Sequence, residues 1–323
     1  MENFLFSINA TLPIFLLMIL GYIFKLLGLL KAEFVSGLNK FVFKIALPVL
    51  LFNDLYKQDF ESAWDGRFVL FCLITTVISI TLITGISFLV IHDNGRRGEF
   101  IQGSYRSSAA LLGLAFIQNI YGNGSSSMGA MMILGSVPIY NIFAVTVLTL
   151  TAQDNDTSSE TSSFNRELVL KTLKGIVTNP IILGIFIGLL WSVIKIPMPV
   201  ICSSVIEDIG SLATPLGLMA MGASFDIKKA TKEIAPSLLA SFIKLFALAA
   251  IFLPISVLFG FRNEQLIALL VMYGSATTVS CFIMAKNMGH DGILSSSIIM
   301  MTTFGCAFSL TFWLFILKSL QLI

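Results

Sequence analysis

Between Phe68 and Ile91 the chain reads FVLFCLITTVISITLITGISFLVI, without a single charged residue. About 20 apolar residues in a helix are enough to cross the hydrocarbon core of a bilayer. Two further runs, Ser107 to Gln153 and Gly292 to Leu317, are equally free of Asp, Glu, Lys and Arg. Barrel strands alternate over about ten residues, and these runs do not alternate. The composition agrees: 56% of the 323 residues are apolar and 12% are charged, with a mean hydropathy of +0.91. A soluble domain carries about 25% charged residues, so the sequence implies an all-α integral membrane protein.

Cutting at charges, glycines and prolines gives ten segments of spanning length: 10–27, 35–53, 68–91, 104–121, 127–150, 171–192, 204–225, 236–259, 265–285 and 293–317. The long run is divided at the turn-rich stretch Tyr121 to Ser127. No basic region precedes the first apolar run, which is expected to stay as a span. With the amino terminus outside, thirteen Lys and Arg fall on inner loops and five on outer loops or termini. That asymmetry predicts a multi-pass cell-membrane protein with both termini and the acidic 54–65 loop outside.

A polar stretch, Thr151 to Phe164, lies near the middle of the chain and reads as a cytosolic linker. The expected division is a first five-helix repeat over 1–150, a linker over 151–168 and a second repeat over 169–323. Five spans on each side of a cytosolic linker make the repeats inverted, an arrangement that suits alternating access. Leu47-Pro48-Val49-Leu50 pairs with Thr214-Pro215-Leu216-Gly217, and Ser107-Ser108-Ala109-Ala110 pairs with Gly274 to Thr278, at equal positions in the two halves.

Little in the sequence supports other classes. Cys72, Cys202, Cys281 and Cys306 read as small buried residues, with no metal-ligand spacing. His92 and His290 read as ordinary loop histidines, so an intramembrane enzyme lacks a base and a nucleophile. A channel would need a filter or a charged ring, and nucleic-acid binding a basic stripe. No catalytic residue, metal or cofactor is expected.

The candidate site residues are those whose chemistry is costly in a membrane. Lys44 and Lys244 fall inside spans and either snorkel to the headgroups or serve function. Arg106 precedes the small polar run at the inner start of the fourth segment, as an anchor or a cavity cation. No Asp or Glu reads as deep within a span, so basic groups with hydroxyls point to an organic anion. Pro48 and Pro215 free upstream carbonyls. Two broken segments, 106–115 and 274–278, are expected around one polar site. Gly113 and Gly274 lower the cost of leaving helical geometry, and Ser108, Ser275, Thr277 and Thr278 satisfy freed backbone groups.

Motifs along nearly the whole chain resemble the auxin efflux carrier family, including its bacterial malate and malonate permease-like members. They are Leu12-Pro13-Ile14-Phe15, Leu38-Asn39-Lys40-Phe41 with Leu47-Pro48, Tyr105-Arg106-Ser107-Ser108 with Leu112-Gly113-Leu114, and Asn179-Pro180. Pro215-Leu216 with Met221-Gly222-Ala223, Ser275-Ala276-Thr277-Thr278 and Ala285 to Asp291 continue the order, closed by Met301-Thr302-Thr303. The sequence departs from the family in having Ser108 for an asparagine, and Ala115 and Gly274 where the two crossover prolines stand.

The resemblance implies a ten-helix fold like those of bile-acid symporters and cation/proton antiporters, with helices four and nine broken at a central crossing. It also implies a scaffold domain of helices 1, 2, 6 and 7 that forms a homodimer among membrane lipids, and a mobile transport domain of helices 3–5 and 8–10. The implied activity is secondary, elevator-type transport of a small dicarboxylate such as malate or malonate. Export of an amphipathic or aromatic weak acid is the alternative, and sodium or proton coupling is left open.

Overall fold

Asp65 ends a loop and starts a helix: its carboxylate accepts the Phe68 amide, and the backbone then stays helical from Gly66 to Val90. Similar starts recur along the computed structural model, which describes residues 2–58, 64–109, 117, 120, 121, 127–152 and 166–323. The helices are α1 (Glu2–Leu26), α2 (Ala32–Tyr56), α3 (Gly66–Val90), α4 (Asn94–Tyr105), α5 (Ser127–Thr151), α6 (Arg166–Val177) and α7 (Pro180–Ile194). They continue with α8 (Val200–Ser211), α9 (Ala213–Ser224), α10 (Ile227–Leu258), α11 (Asn263–Gly274), α12 (Ser280–Asn287) and α13 (Ile293–Ser319). No strand occurs among the described residues. Gly113, the turn at 122–126, Asp59, Glu61 and linker residues 153–165 lie outside them.

Five of these helices are long and apolar enough to cross a membrane: α2, α3, α5 from Met128, α10 and α13. Leu12–Leu26 and Pro180–Ile194 are apolar but shorter. The chain is thus an all-α, multi-pass membrane protein. Helix α3 shows how lipid reverses the soluble pattern. Its large apolar residues Leu70, Ile74, Ile78 and Leu82 face outward at helical spacing, while Thr75, Thr76, Ser79 and Ser87 are buried. The buried hydroxyls of Thr75 and Ser79 donate to backbone carbonyls of their own helix, Phe71 and Thr76, which makes them tolerable inside.

Glycines set the closest helix contacts. A Cβ at Gly21 of α1 would run into the Met219 backbone of α9, and one at Gly222 of α9 into Met18 of α1. Helix α7 approaches α2 in the same way, with Gly184 against Pro48 and Gly188 against Phe52. Small residues let helix backbones meet where lipid gives no hydrophobic drive. One interval along the chain relates these features: Pro13 to Pro180, Gly21 to Gly188, Pro48 to Pro215, Phe52 to Met219 and Ser108 to Ser275.

Two π-helical turns interrupt the long helices, at Val42–Ala46 in α2 and Ile243–Ala247 in α10. In α2 the cause is local. Pro48 has no N–H to offer the carbonyl four residues back, and the Leu47 amide reaches five residues back to Val42 instead. Pro215 sits just after the interruption at Leu212 that separates α8 from α9.

Candidate functional site

Helix α4 stops at Tyr105 because Arg106 turns extended, with φ −69° and ψ 130°. Helix α11 stops at Gly274, where Ser275 takes φ −84° and ψ 167°. Residues 106–108 and 276–278 are then non-helical. The unwound segments touch: the Ser108 amide donates to the Ala276 carbonyl at 2.9 Å, and Thr277 Oγ1 donates to the Gly103 carbonyl at 2.7 Å. The Thr277 amide finds Thr302 Oγ1 of α13 at 3.1 Å. Among the described residues neither break uses left-handed backbone. Gly274 stands where α11 runs past Leu245 and Ala249 of α10, with room there for a Cβ in ordinary van der Waals contact.

Arg106 is the charged centre of this crossing. It is 3% exposed, which removes it from the role of a headgroup anchor. Sequence reading placed it at the start of a span. It lies instead at the end of a half-helix that begins at Asn94, because the polar residues before it are taken into the protein. Gln102 Nε2, for example, donates to the Cys281 carbonyl at 2.9 Å.

The guanidinium donates to Asn141 Oδ1 and Ser280 Oγ, each at 2.9 Å, and contacts Met284 Sδ at 2.8 Å. Its Nε has no hydrogen-bond partner among the described residues. Among the described residues no carboxylate forms a salt bridge with it. A buried guanidinium held by neutral groups and with a donor to spare has the chemistry to take a further hydrogen-bond acceptor.

A cavity of about 90 Å³ opens beside it. Ser108, Thr277 and Thr278 line it together with Arg106, Tyr140, Asn141 and Ser280. Much of the remaining wall is apolar, from Leu47, Leu50, Val137 and Ile283. Ala213 and Thr214, next to Pro215, also reach it. Ser275 is fully buried beside the break and does not line the cavity. Pro48 contributes through its neighbours Leu47 and Leu50.

Three expectations need correction. Lys44 is exposed on α2, as its snorkelling alternative expects, and does not line the cavity. Asp54, read as part of an outer acidic loop, belongs to α2 and lines the cavity. The helix runs past the expected boundary to Tyr56, which brings the carboxylate inside. Glu99 is also buried, where its two oxygens accept the Gly292 and Ser295 amides at 2.8 and 2.7 Å and so cap α13.

Smaller corrections concern Cys202, which is exposed while Cys72, Cys281 and Cys306 are buried, and His290. The His290 ring is buried between the carbonyls of Gly95 and Leu148, at 2.8 and 3.0 Å, and ties the start of α4 to the end of α5. Among the described residues no group of three His, Cys, Asp or Glu converges to hold a metal.

A second, more open cavity of about 550 Å³ lies between α1, α2, α9 and α12. Lys25, Lys40 and Lys286 line it with Asn39 and Asn287. Lys25 and Lys286 sit in the last turns of α1 and α12, and Lys40 lies within α2.

The family described as "Membrane transport protein" matches residues 6–314. An "Uncharacterized transporter" of Methanothermobacter thermautotrophicus is 22% identical over 315 residues, covering 96% of this chain and 98% of that protein. A "Putative malonate transporter" of Rhizobium meliloti is 25% identical over 228 residues, covering 68% of this chain and 67% of that protein. The chain is therefore a transporter rather than an enzyme, and it belongs to the membrane transport protein family.

Proposed function

We propose that this transporter moves a small organic anion with one carboxylate and an apolar body, bound where the unwound segments of α4 and α11 cross. The observation that carries this reading is the Arg106 Nε, without a partner among the described residues, beside a largely apolar cavity. The substrate carboxylate takes the Arg106 fork and the hydroxyls of Ser108 and Thr278, while its body lies along Leu47, Leu50 and Ile283. Asp54 supports one of the two substrate classes weighed from the sequence. Its carboxylate in the same cavity disfavours a second negative charge, so the amphipathic weak acid is preferred to malate or malonate. The dicarboxylate remains the second reading, supported by the description of the Rhizobium meliloti relative and by the lysine-lined inner cavity.

The mechanism we propose is an elevator built on two inverted five-helix repeats, 1–150 and 169–323, joined by a cytosolic linker. The single interval that relates the prolines, glycines and Ser108 to their counterparts supports the repeat. Helices α1, α2 and α6 to α9 form the scaffold, in keeping with the glycine contacts of α1 with α9 and α2 with α7. Helices α3, α4, α5 and α10 to α13 form the moving part. The cavity takes wall residues from both groups, such as Leu50 and Thr214 from one and Arg106 and Thr277 from the other, as a carried site requires. A homodimer formed through the scaffold, with both termini outside, completes the proposal.

The test is a vesicle uptake screen over aromatic and aliphatic monocarboxylates, dicarboxylates, amino acids and organic cations. Saturable uptake of apolar monocarboxylates, with apparent affinity rising with apolar area, is the expected result. Preference for dicarboxylates would favour the second reading, and uptake of organic cations alone would reject both.

A further inference from the structure

Lys244 is fully buried in the middle of a membrane-crossing helix, and its ammonium touches no carboxylate among the described residues. Its Nζ donates to two backbone carbonyls, Met272 at 2.9 Å and Tyr273 at 3.1 Å. Both belong to the last turn of α11, immediately before that helix breaks. The π-helical turn Ile243–Ala247 contains the lysine, and the Leu245 carbonyl of that turn is taken by Trp313 Nε1 at 3.1 Å.

A helix that ends inside a membrane leaves its final carbonyls without amide partners and concentrates negative charge there. Each of these carbonyls has a donor here. Val271 accepts the Ser275 amide, Met272 and Tyr273 accept Lys244, Gly274 accepts Ser309 Oγ, and Ala276 accepts the Ser108 amide. The lysine thus stands where transporters with discontinuous helices commonly use half-helix carbonyls to coordinate a coupling cation. Neutral carbonyl oxygens are also how proteins solvate bare cations.

We propose that the Lys244 ammonium is the resident cation of the broken helix, tethered at the C-terminal end of α11, so that no diffusible monovalent cation binds there. The inference rests on the transporter reading above, since it concerns the crossing that forms the substrate site. Its consequence is sodium-independent organisation of that site. Lys244 and Arg106 bond to the residues that flank the 275–278 segment in sequence, Tyr273 and Ser280.

Thermal unfolding of the purified protein, without substrate, tests this apart from the identity of the transported solute. The melting temperature of the wild type should be the same in sodium, lithium, potassium and choline chloride at equal ionic strength. Lys244→Ala should melt roughly 5–10 °C lower, since two buried carbonyls lose their donor. Sodium, lithium or methylammonium should then raise its melting temperature saturably while choline does not. Lys244→Met, which fills the space without a charge, should melt low in every salt.

A saturable, sodium-specific stabilisation of the wild type would overturn the proposal. So would a Lys244→Ala protein that none of the small cations restores, or a Lys244→Met protein as stable as the wild type. Should Lys244→Ala fail to accumulate, the wild-type and Lys244→Met measurements still decide.

Discussion

The Ser108 amide donates to the Ala276 carbonyl across 2.9 Å, joining two chain segments that have each left helical geometry. That single bond shows how an interrupted helix is tolerated among apolar neighbours. The groups released by one break are partners for groups released by the other. Thr277 extends the same logic with its hydroxyl on Gly103 and its amide on Thr302.

Thr277→Val keeps the shape of the side chain and removes the donor to Gly103. It should lower stability by about 1–2 kcal/mol, the cost of a buried carbonyl left without its partner. Uptake in vesicles, normalised to protein abundance, should fall about tenfold, because a shift of about 1.4 kcal/mol in site geometry has that effect. Equal loss of abundance and of activity would identify Thr277 as structural.

Asp54→Asn should change selectivity rather than abolish transport. With the carboxylate neutralised, competition by dicarboxylates against a monocarboxylate tracer should strengthen by about tenfold, the effect of removing one like-charge contact worth about 1.4 kcal/mol. An unchanged inhibition series would remove Asp54 from any role in choosing the substrate.

Gly222→Ala places a methyl group against the Met18 carbonyl where α1 and α9 meet. Overpacking of this kind costs about 1–3 kcal/mol, so the variant should melt several degrees lower. Apparent substrate affinity, measured on the folded fraction, should stay within about twofold, because an affinity change beyond that needs more than about 0.4 kcal/mol at the site. A loss of affinity without loss of stability would show that the contact belongs to the moving part.

Topology is checked by labelling intact cells with a membrane-impermeant maleimide in a Cys202→Ser background, since Cys202 is exposed near one end of α8. A cysteine at Lys195 should react from outside and one at Lys229 should not. The opposite pattern would invert the proposed orientation and place the lysine-lined cavity outside.

What could be read from the sequence followed physical locality. Uncharged length marked the apolar helices, and the small polar residues Ser107-Ser108 and Ser275 to Thr278 marked described segments that leave helical geometry. Asp54 was misplaced because helix ends in a membrane need no charge boundary. Lys44 and Lys244 look alike in sequence, each between large apolar residues and each inside a π-helical turn, yet one is exposed and the other fully buried. A π turn shifts the helical phase, and only packing against α11 and α13 decides which face is inside. The partners of Arg106, namely Asn141, Ser280 and Met284, come from α5 and α12 and share no local pattern with it.

Arg106 carries the central claim, that an anion is held at the crossing of α4 and α11. The most direct measurement compares initial uptake of the best monocarboxylate by wild type, Arg106→Lys and Arg106→Gln in vesicles at matched abundance. Arg106→Gln should fall to background. Arg106→Lys, which keeps a charge but loses the planar fork, should retain a measurable rate with a KM raised at least about tenfold. An Arg106→Gln transporter with wild-type KM and rate would contradict the account.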